Sequence, residues 1–126
     1  MVPFRNLVYA TLVLAGLPSI TAVAAESADP GRKIFEQRCL SCHEGTPPSA
    51  NTLGPSLVGI IGRKPGTGSS GVHSRAAIES DMVWTRDSLR RYLSDPGREM
   101  PGTIMSVRVQ DPKELDDLLN YLQTLR

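Results

Sequence analysis

Five consecutive residues, Cys39-Leu40-Ser41-Cys42-His43, restrict what this chain can become more than any other feature. The spacing C-x-x-C-H is that of a c-type haem attachment site. A two-residue gap lets one helical turn present both sulfurs to the same porphyrin edge, each thiol adding across one vinyl group. The adjacent imidazole then reaches the iron as proximal ligand. The chain holds only two cysteines, so this task uses both. A thioredoxin-like dithiol asks for a βαβ context, which the pattern below does not supply. A zinc site asks for four ligands, and His73 is the one further histidine.

The length of 126 residues suits one domain, rich in Gly and Pro and poor in aromatics. A small core of this kind gains from a large apolar prosthetic group. Residues 1–25 read as a cleavable secretory signal. Arg5 is the basic start, Leu7 to Leu17 the apolar stretch, and Ala22-Val23-Ala24-Ala25 the small-residue cleavage region. Cutting after Ala24 and after Ala25 fit equally well, and the apolar run is short for a membrane anchor. Export agrees with the motif, because bacteria attach c-type haem outside the cytoplasm; the expected location is the periplasm. Removal of the signal takes Arg5 alone among the charges, leaving thirteen basic against thirteen acidic residues. Such a balance argues against nucleic-acid binding.

The remainder, residues 26–126, reads as an all-α domain. After a short leader, Asp29-Pro30-Gly31 is an N-cap followed by Pro at the first helical position. The helix from Pro30 to about Cys39 carries Ile34, Phe35 and Leu40 toward one side. From Glu44 to Gly71 the punctuation by Gly, Pro, Ser and Asn predicts loop, with Leu53, Leu57, Val58, Ile60 and Ile61 to be buried around a haem face. Ser74 caps a short helix to Ser80. Thr85 caps another, with Leu89, Tyr92 and Leu93 at helical spacing, stopped by Asp95-Pro96-Gly97. Arg98 to Gln110 is predicted structureless. Asp111, Pro112 and Glu114 open the last helix as a capping-box pattern. There Leu115, Leu118, Leu119, Leu122 and Leu125 form one apolar face.

With these flanks the chain resembles class I cytochrome c, the mitochondrial and bacterial cytochrome c2 type, over essentially the whole mature length. The resemblance begins at Gly31-Arg32-Lys33-Ile34-Phe35, like the family's G-x-x-x-F, where glycine lets the first and last helices cross closely against Leu118, Tyr121 and Leu122. Gly54-Pro55-Ser56-Leu57 is similar to G-P-x-L, which implies that the Pro55 carbonyl accepts a hydrogen bond from His43. Gly62-Arg63-Lys64 is similar to the G-R-K turn, implying that Arg63 and Trp84 hold a haem propionate, with Ser74 as a third donor. Pro101-Gly102-Thr103-Ile104-Met105 matches P-G-T-x-M and nominates Met105 as sixth ligand, with Met100 as runner-up and the Tyr92 hydroxyl approaching the Met105 sulfur. Two departures stand out. His73 and Ala77 occupy positions where the family often has Tyr and Asn near the propionates, and a cationic imidazole there would favour reduced haem. Around the haem edge only Arg38 and Arg98 keep charge and Ile104 is apolar, so docking should depend less on salt than in a lysine-ringed protein.

The resemblance implies one covalent haem c and a monomeric one-electron carrier rather than an enzyme. It would have no stable membrane insertion once the signal is gone. Expected donors are a cytochrome bc1 complex or a periplasmic dehydrogenase. Expected acceptors are a terminal oxidase, a reductase or a photosynthetic reaction centre. Two other readings remain: a bound subunit of a larger oxidoreductase, and a haem enzyme or gas sensor with an open sixth position.

Overall fold

The computed structural model describes residues 29–43 and 53–126. The expected signal and leader, and the start of the expected loop after His43, lie outside these residues. Among the described residues there are five helices and no strand: α1 (Pro30–Arg38), α2 (Arg75–Ile78), α3 (Arg86–Ser94), α4 (Pro96–Glu99) and α5 (Pro112–Leu122). No helix among them is long and apolar enough to cross a membrane.

Each helix starts where its side chains can satisfy otherwise unpaired backbone donors. Asp29 accepts from the Gly31 N–H at 2.9 Å, Ser74 from Ala77 at 3.1 Å, and Asp111 from Glu114 at 2.8 Å. Thr85 and Ser88 form a reciprocal box, Ser88 N–H to Thr85 Oγ1 at 3.1 Å and Thr85 N–H to Ser88 Oγ at 2.8 Å. The Glu114 carboxylate instead meets Arg38 at 3.2 Å and ties α5 to the end of α1. Helix α4 was not anticipated: Asp95 ends α3 and also caps α4, accepting from the Arg98 N–H at 3.3 Å.

Helix α5 is the hub, packing on α1 and α3. Its expected leucine face is real: Leu115, Leu118, Leu119 and Leu122 are buried, and Leu125 follows just past the helix. Burying each leucine is worth about 1.5–3 kcal/mol. The crossing with α1 is so close that a Cβ on Gly31 would sit 2.0 Å from the Asp117 carbonyl oxygen and 2.7 Å from Tyr121 Cβ. Phe35 beside it packs on the Tyr121 ring, centroids 5.4 Å apart. Leu40, expected on this buried side, is half exposed, because the chain has left α1 at Cys39 and turns. On the other face of α5, Asp116 binds both Arg90 and Arg86 of α3. These guanidinium groups, Arg90 foremost, hold its carboxyl below the usual carboxylate range.

Candidate functional site

The end of α1 is wound tightly enough to gather the whole pentapeptide motif. Cys39 N–H donates to Phe35 O at 2.8 Å, and both Cys42 and His43 donate back to Cys39 O at 3.0 and 2.8 Å. Cys39 is buried and Cys42 partly so. Burial pushes the Cys39 thiol up to about 11 despite the neighbouring Arg38 charge. Both cysteines follow the C-terminal end of α1, whereas redox dithiols draw a lowered thiol pKa from a helix N-terminus, so the placement disfavours the thioredoxin-like alternative.

The His43 ring is fixed from one side. Its Nδ1 lies 2.8 Å from Pro55 O. A carbonyl only accepts, so Nδ1 carries the proton and Nε2 keeps its lone pair for a metal. Burial lowers the His43 pKa, the Pro55 bond partly offsetting it, a shift toward the neutral imidazole that a ligand must be. Gly54 N–H donates to Cys42 O at 2.7 Å, and a Cβ on Gly54 would come within 2.6 Å of His43 Cε1. The glycine of the G-P-x-L stretch is therefore required by the ring it flanks.

Cys39, Cys42 and His43 open onto a cleft of about 370 Å³, a size suited to a bound organic group. Pro55, Arg63, Ser74, Trp84, Tyr92 and Met105 line the same cleft, so these candidate haem-binding residues are brought to one place, while Arg98, expected at the haem edge, is outside the lining. Its floor comes from Ile60, Leu89, Leu93, Leu118 and Leu122. Trp84 stacks at a tilt on Tyr92, ring centroids 4.9 Å apart, and its backbone brackets the turn around Arg63: Trp84 N–H to Arg63 O at 2.8 Å, Gly62 N–H to Trp84 O at 2.7 Å. The Tyr92 hydroxyl pairs with Thr103 Oγ1 at 2.6 Å, where the resemblance had implied the Met105 sulfur. Thr103 Oγ1 also accepts from the Met105 N–H at 3.3 Å. Thr103 is thus the residue that sequence reasoning passed over, although it stands inside the quoted P-G-T-x-M. Met100 lines the cleft too, packed in the core, whereas Met105 is partly exposed on the following loop. The His73 Nε2–H donates to Gly68 O at 3.0 Å, and Ser74 keeps its hydroxyl proton while its oxygen caps α2.

The family model for cytochrome c matches residues 28–126. The chain belongs to the class I cytochrome c family. It is 38% identical over 120 residues to cytochrome c2 of Blastochloris viridis, covering 94% of this chain and 92% of that protein. With cytochrome c2 of Rhodopila globiformis it shares 38% identity over 106 residues, 82% of this chain and 99% of the relative. Among solved structures, cytochrome cH from Methylobacterium extorquens superposes with a TM-score of 0.66 at 37% identity, covering 75% of this chain and 95% of that one. Members of this family are electron carriers built on covalent haem c, and this cytochrome is one of them.

The residues of the cleft fit that group. Arg63 Nη2 donates to Ser56 O at 2.8 Å, but its Nε is buried with no partner. Burial also lowers the guanidinium from its ordinary pKa. A partly buried guanidinium with one buried nitrogen unpaired is costly, and a carboxylate such as a haem propionate would supply what it lacks. The apolar floor and the one-sided His43 ring complete the match to a flat, largely apolar macrocycle with an iron at its centre.

Proposed function

We propose that this cytochrome is an exported one-electron shuttle of the bacterial periplasm, its signal removed after Ala24 or Ala25. Cys39 and Cys42 would hold the haem as thioethers, and His43 Nε2 and the Met105 sulfur would bind its iron. Arg63, Trp84 and Ser74 would hold the propionates, and Tyr92 with Thr103 would secure the Met105 loop. The observation that carries this reading is the His43 ring, locked by Pro55 with its free nitrogen on the cleft that Met105 also lines.

Bound haem c supplies an iron that passes between ferrous and ferric states by one electron. The residues set the terms of that exchange. The Pro55 bond fixes the His43 ring and raises its basicity. A Met105 thioether together with the His43 imidazole would favour the ferrous form and so raise the potential. Two protein ligands would leave no position for a substrate, which suits a carrier that meets donor and acceptor in turn. The proposed donor is a cytochrome bc1 complex or a periplasmic dehydrogenase. The proposed acceptor is an oxidase, a reductase or a photosynthetic reaction centre. Its likeness to relatives named cytochrome c2 and cytochrome cH supports the carrier reading.

Intact-mass analysis of the exported protein tests attachment and processing together. The expected mass is that of a chain starting at Ala25 or Glu26 plus one haem. The haem mass should survive acid denaturation and be lost in the double variant Cys39→Ala/Cys42→Ala. A full-length chain, or haem that acid extracts, would contradict the reading. A second expectation concerns Arg63. Arg63→Leu removes a positive charge facing the haem and should lower the reduction potential, because the ferric form no longer meets that repulsion. An unchanged potential in protein-film voltammetry would remove Arg63 from the propionate role.

A further inference from the structure

The carbonyl that fixes the His43 ring is itself held by a second stretch of chain. Pro55 belongs to residues 53–55, and the loop from Gly68 to His73 lies against all three. Val72 N–H donates to Leu53 O at 2.9 Å. A Cβ on Gly71 would lie 2.0 Å from Gly54 O, 2.2 Å from Gly54 C and 2.6 Å from Pro55 N. One on Gly68 would lie 3.0 Å from Pro55 Cβ. The His73 ring closes the loop on itself, its Nε2–H on Gly68 O at 3.0 Å.

Gly54 is where these contacts meet the site. Its N–H is on Cys42 O at 2.7 Å, and a Cβ there would come 2.6 Å from His43 Cε1. The Gly54–Pro55 peptide therefore has the His43 ring as one neighbour and the Gly71 backbone as another, with no room for a methyl group at either contact. A displacement imposed at Gly71 passes into that peptide. The proline ring fixes φ at Pro55, so the Pro55 carbonyl follows the peptide that precedes it.

The loop holds this position against its own preferences. Ser70 has φ +83°, a left-handed conformation unfavourable for a residue with a Cβ, and Gly71 follows at φ +71°. The Ser70 hydroxyl oxygen is buried without a partner among the described residues. Both features cost free energy and persist only where the surrounding structure enforces them.

We infer that Gly71 is a positioning residue for His43: its backbone, pressed on the Gly54–Pro55 peptide, sets where the Pro55 carbonyl stands and how firmly it holds the His43 Nδ1–H. The inference rests on the proposed role of His43 as iron ligand. A firm bond at Nδ1 makes the imidazole more basic and favours the ferric form. A displaced carbonyl shifts the balance toward the ferrous form.

Gly71→Ala in the haem-loaded protein tests this. At a fixed electrode potential the ferrous-to-ferric ratio should rise roughly two- to tenfold, the size of a partial loss of one hydrogen bond. In the reduced protein, proton NMR should show the His43 Nδ1–H exchanging with deuterium about tenfold faster than in wild type. Gly31→Ala is the control: it strains the α1–α5 crossing and should lower stability while leaving the ratio unchanged. Should Gly71→Ala not fold around haem, Gly68→Ala presses on Pro55 less severely and should move both readouts the same way, by about twofold. A folded variant with a wild-type or lowered ratio and wild-type exchange would overturn the positioning role, as would an equal rise in Gly31→Ala, and both leave the carrier intact. Absence of a reversible one-electron wave and of a protected His43 Nδ1–H in wild type would instead remove the carrier reading, and this inference with it.

Discussion

Gly31→Ala is expected to lower the melting temperature of the haem-loaded protein by roughly 10–20 °C. Helix propensity alone predicts the opposite sign, since alanine is about 1 kcal/mol better than glycine within a helix. Packing decides. The new methyl would lie 2.0 Å from the Asp117 carbonyl oxygen and 2.7 Å from Tyr121 Cβ. A backbone carbonyl in the middle of α5 cannot swing aside as a side chain can. Relief requires α1 and α5 to separate, loosening Phe35 from Tyr121 and opening the buried contact around Leu118. Overpacking of this kind costs about 1–3 kcal/mol and occasionally more, so a net loss of about 2–3 kcal/mol is expected against a total stability of about 5–15 kcal/mol. Differential scanning calorimetry decides it: an unchanged or higher melting temperature would show that the helices do not cross this closely.

Met105→Ala should change the haem more than any other single substitution outside the attachment motif. With the sulfur gone, His43 would be the sole protein ligand and one iron position would be open. The potential is expected to fall by about 0.1–0.3 V, a fraction of the ~0.8 V that axial ligands span. The reduced variant should then bind carbon monoxide. Met100 is the internal control, since it lines the same cleft but is packed in the core. Met100→Leu conserves volume and should cost less than about 1.5 kcal/mol in stability, leaving the potential and ligation as they were. If Met100→Leu opened the iron and Met105→Ala did not, the two methionines would exchange roles and the Thr103 anchor at Met105 would need another explanation.

Much of this architecture is readable from local chemistry. Asp29-Pro30 and Asp111-Pro112 pair an N-cap with a residue pre-set for the first helical turn, and both open helices. The leucine spacing after Asp111 gives the buried face directly. Asp95-Pro96 carries the same start signal. Reading it only as a stop for α3 hid α4, because one aspartate serves as the end of one helix and the cap of the next. In the loops, local pattern gives little guidance. Ile60 is buried and its neighbour Ile61 exposed, a choice made by the cleft and not by any sequence period. Val109 is fully buried within the stretch expected to lack structure, its N–H on Leu93 O at 2.8 Å. The proposed site residues stand out in the sequence for a different reason: the proposed metal ligation and propionate contact would demand particular side chains. Thr103 escaped because a threonine in a loop has many ordinary uses, and only the distances to Tyr92 and Met105 reveal which one applies.

The central claim, an iron closed by His43 and Met105, is tested most directly on the native protein by absorption spectroscopy. The ferric form should show the weak long-wavelength band that marks thioether ligation, and the ferrous form should leave carbon monoxide unbound at neutral pH. Absence of that band together with rapid carbon monoxide binding would show an open sixth position, and a haem enzyme or gas sensor would replace the carrier.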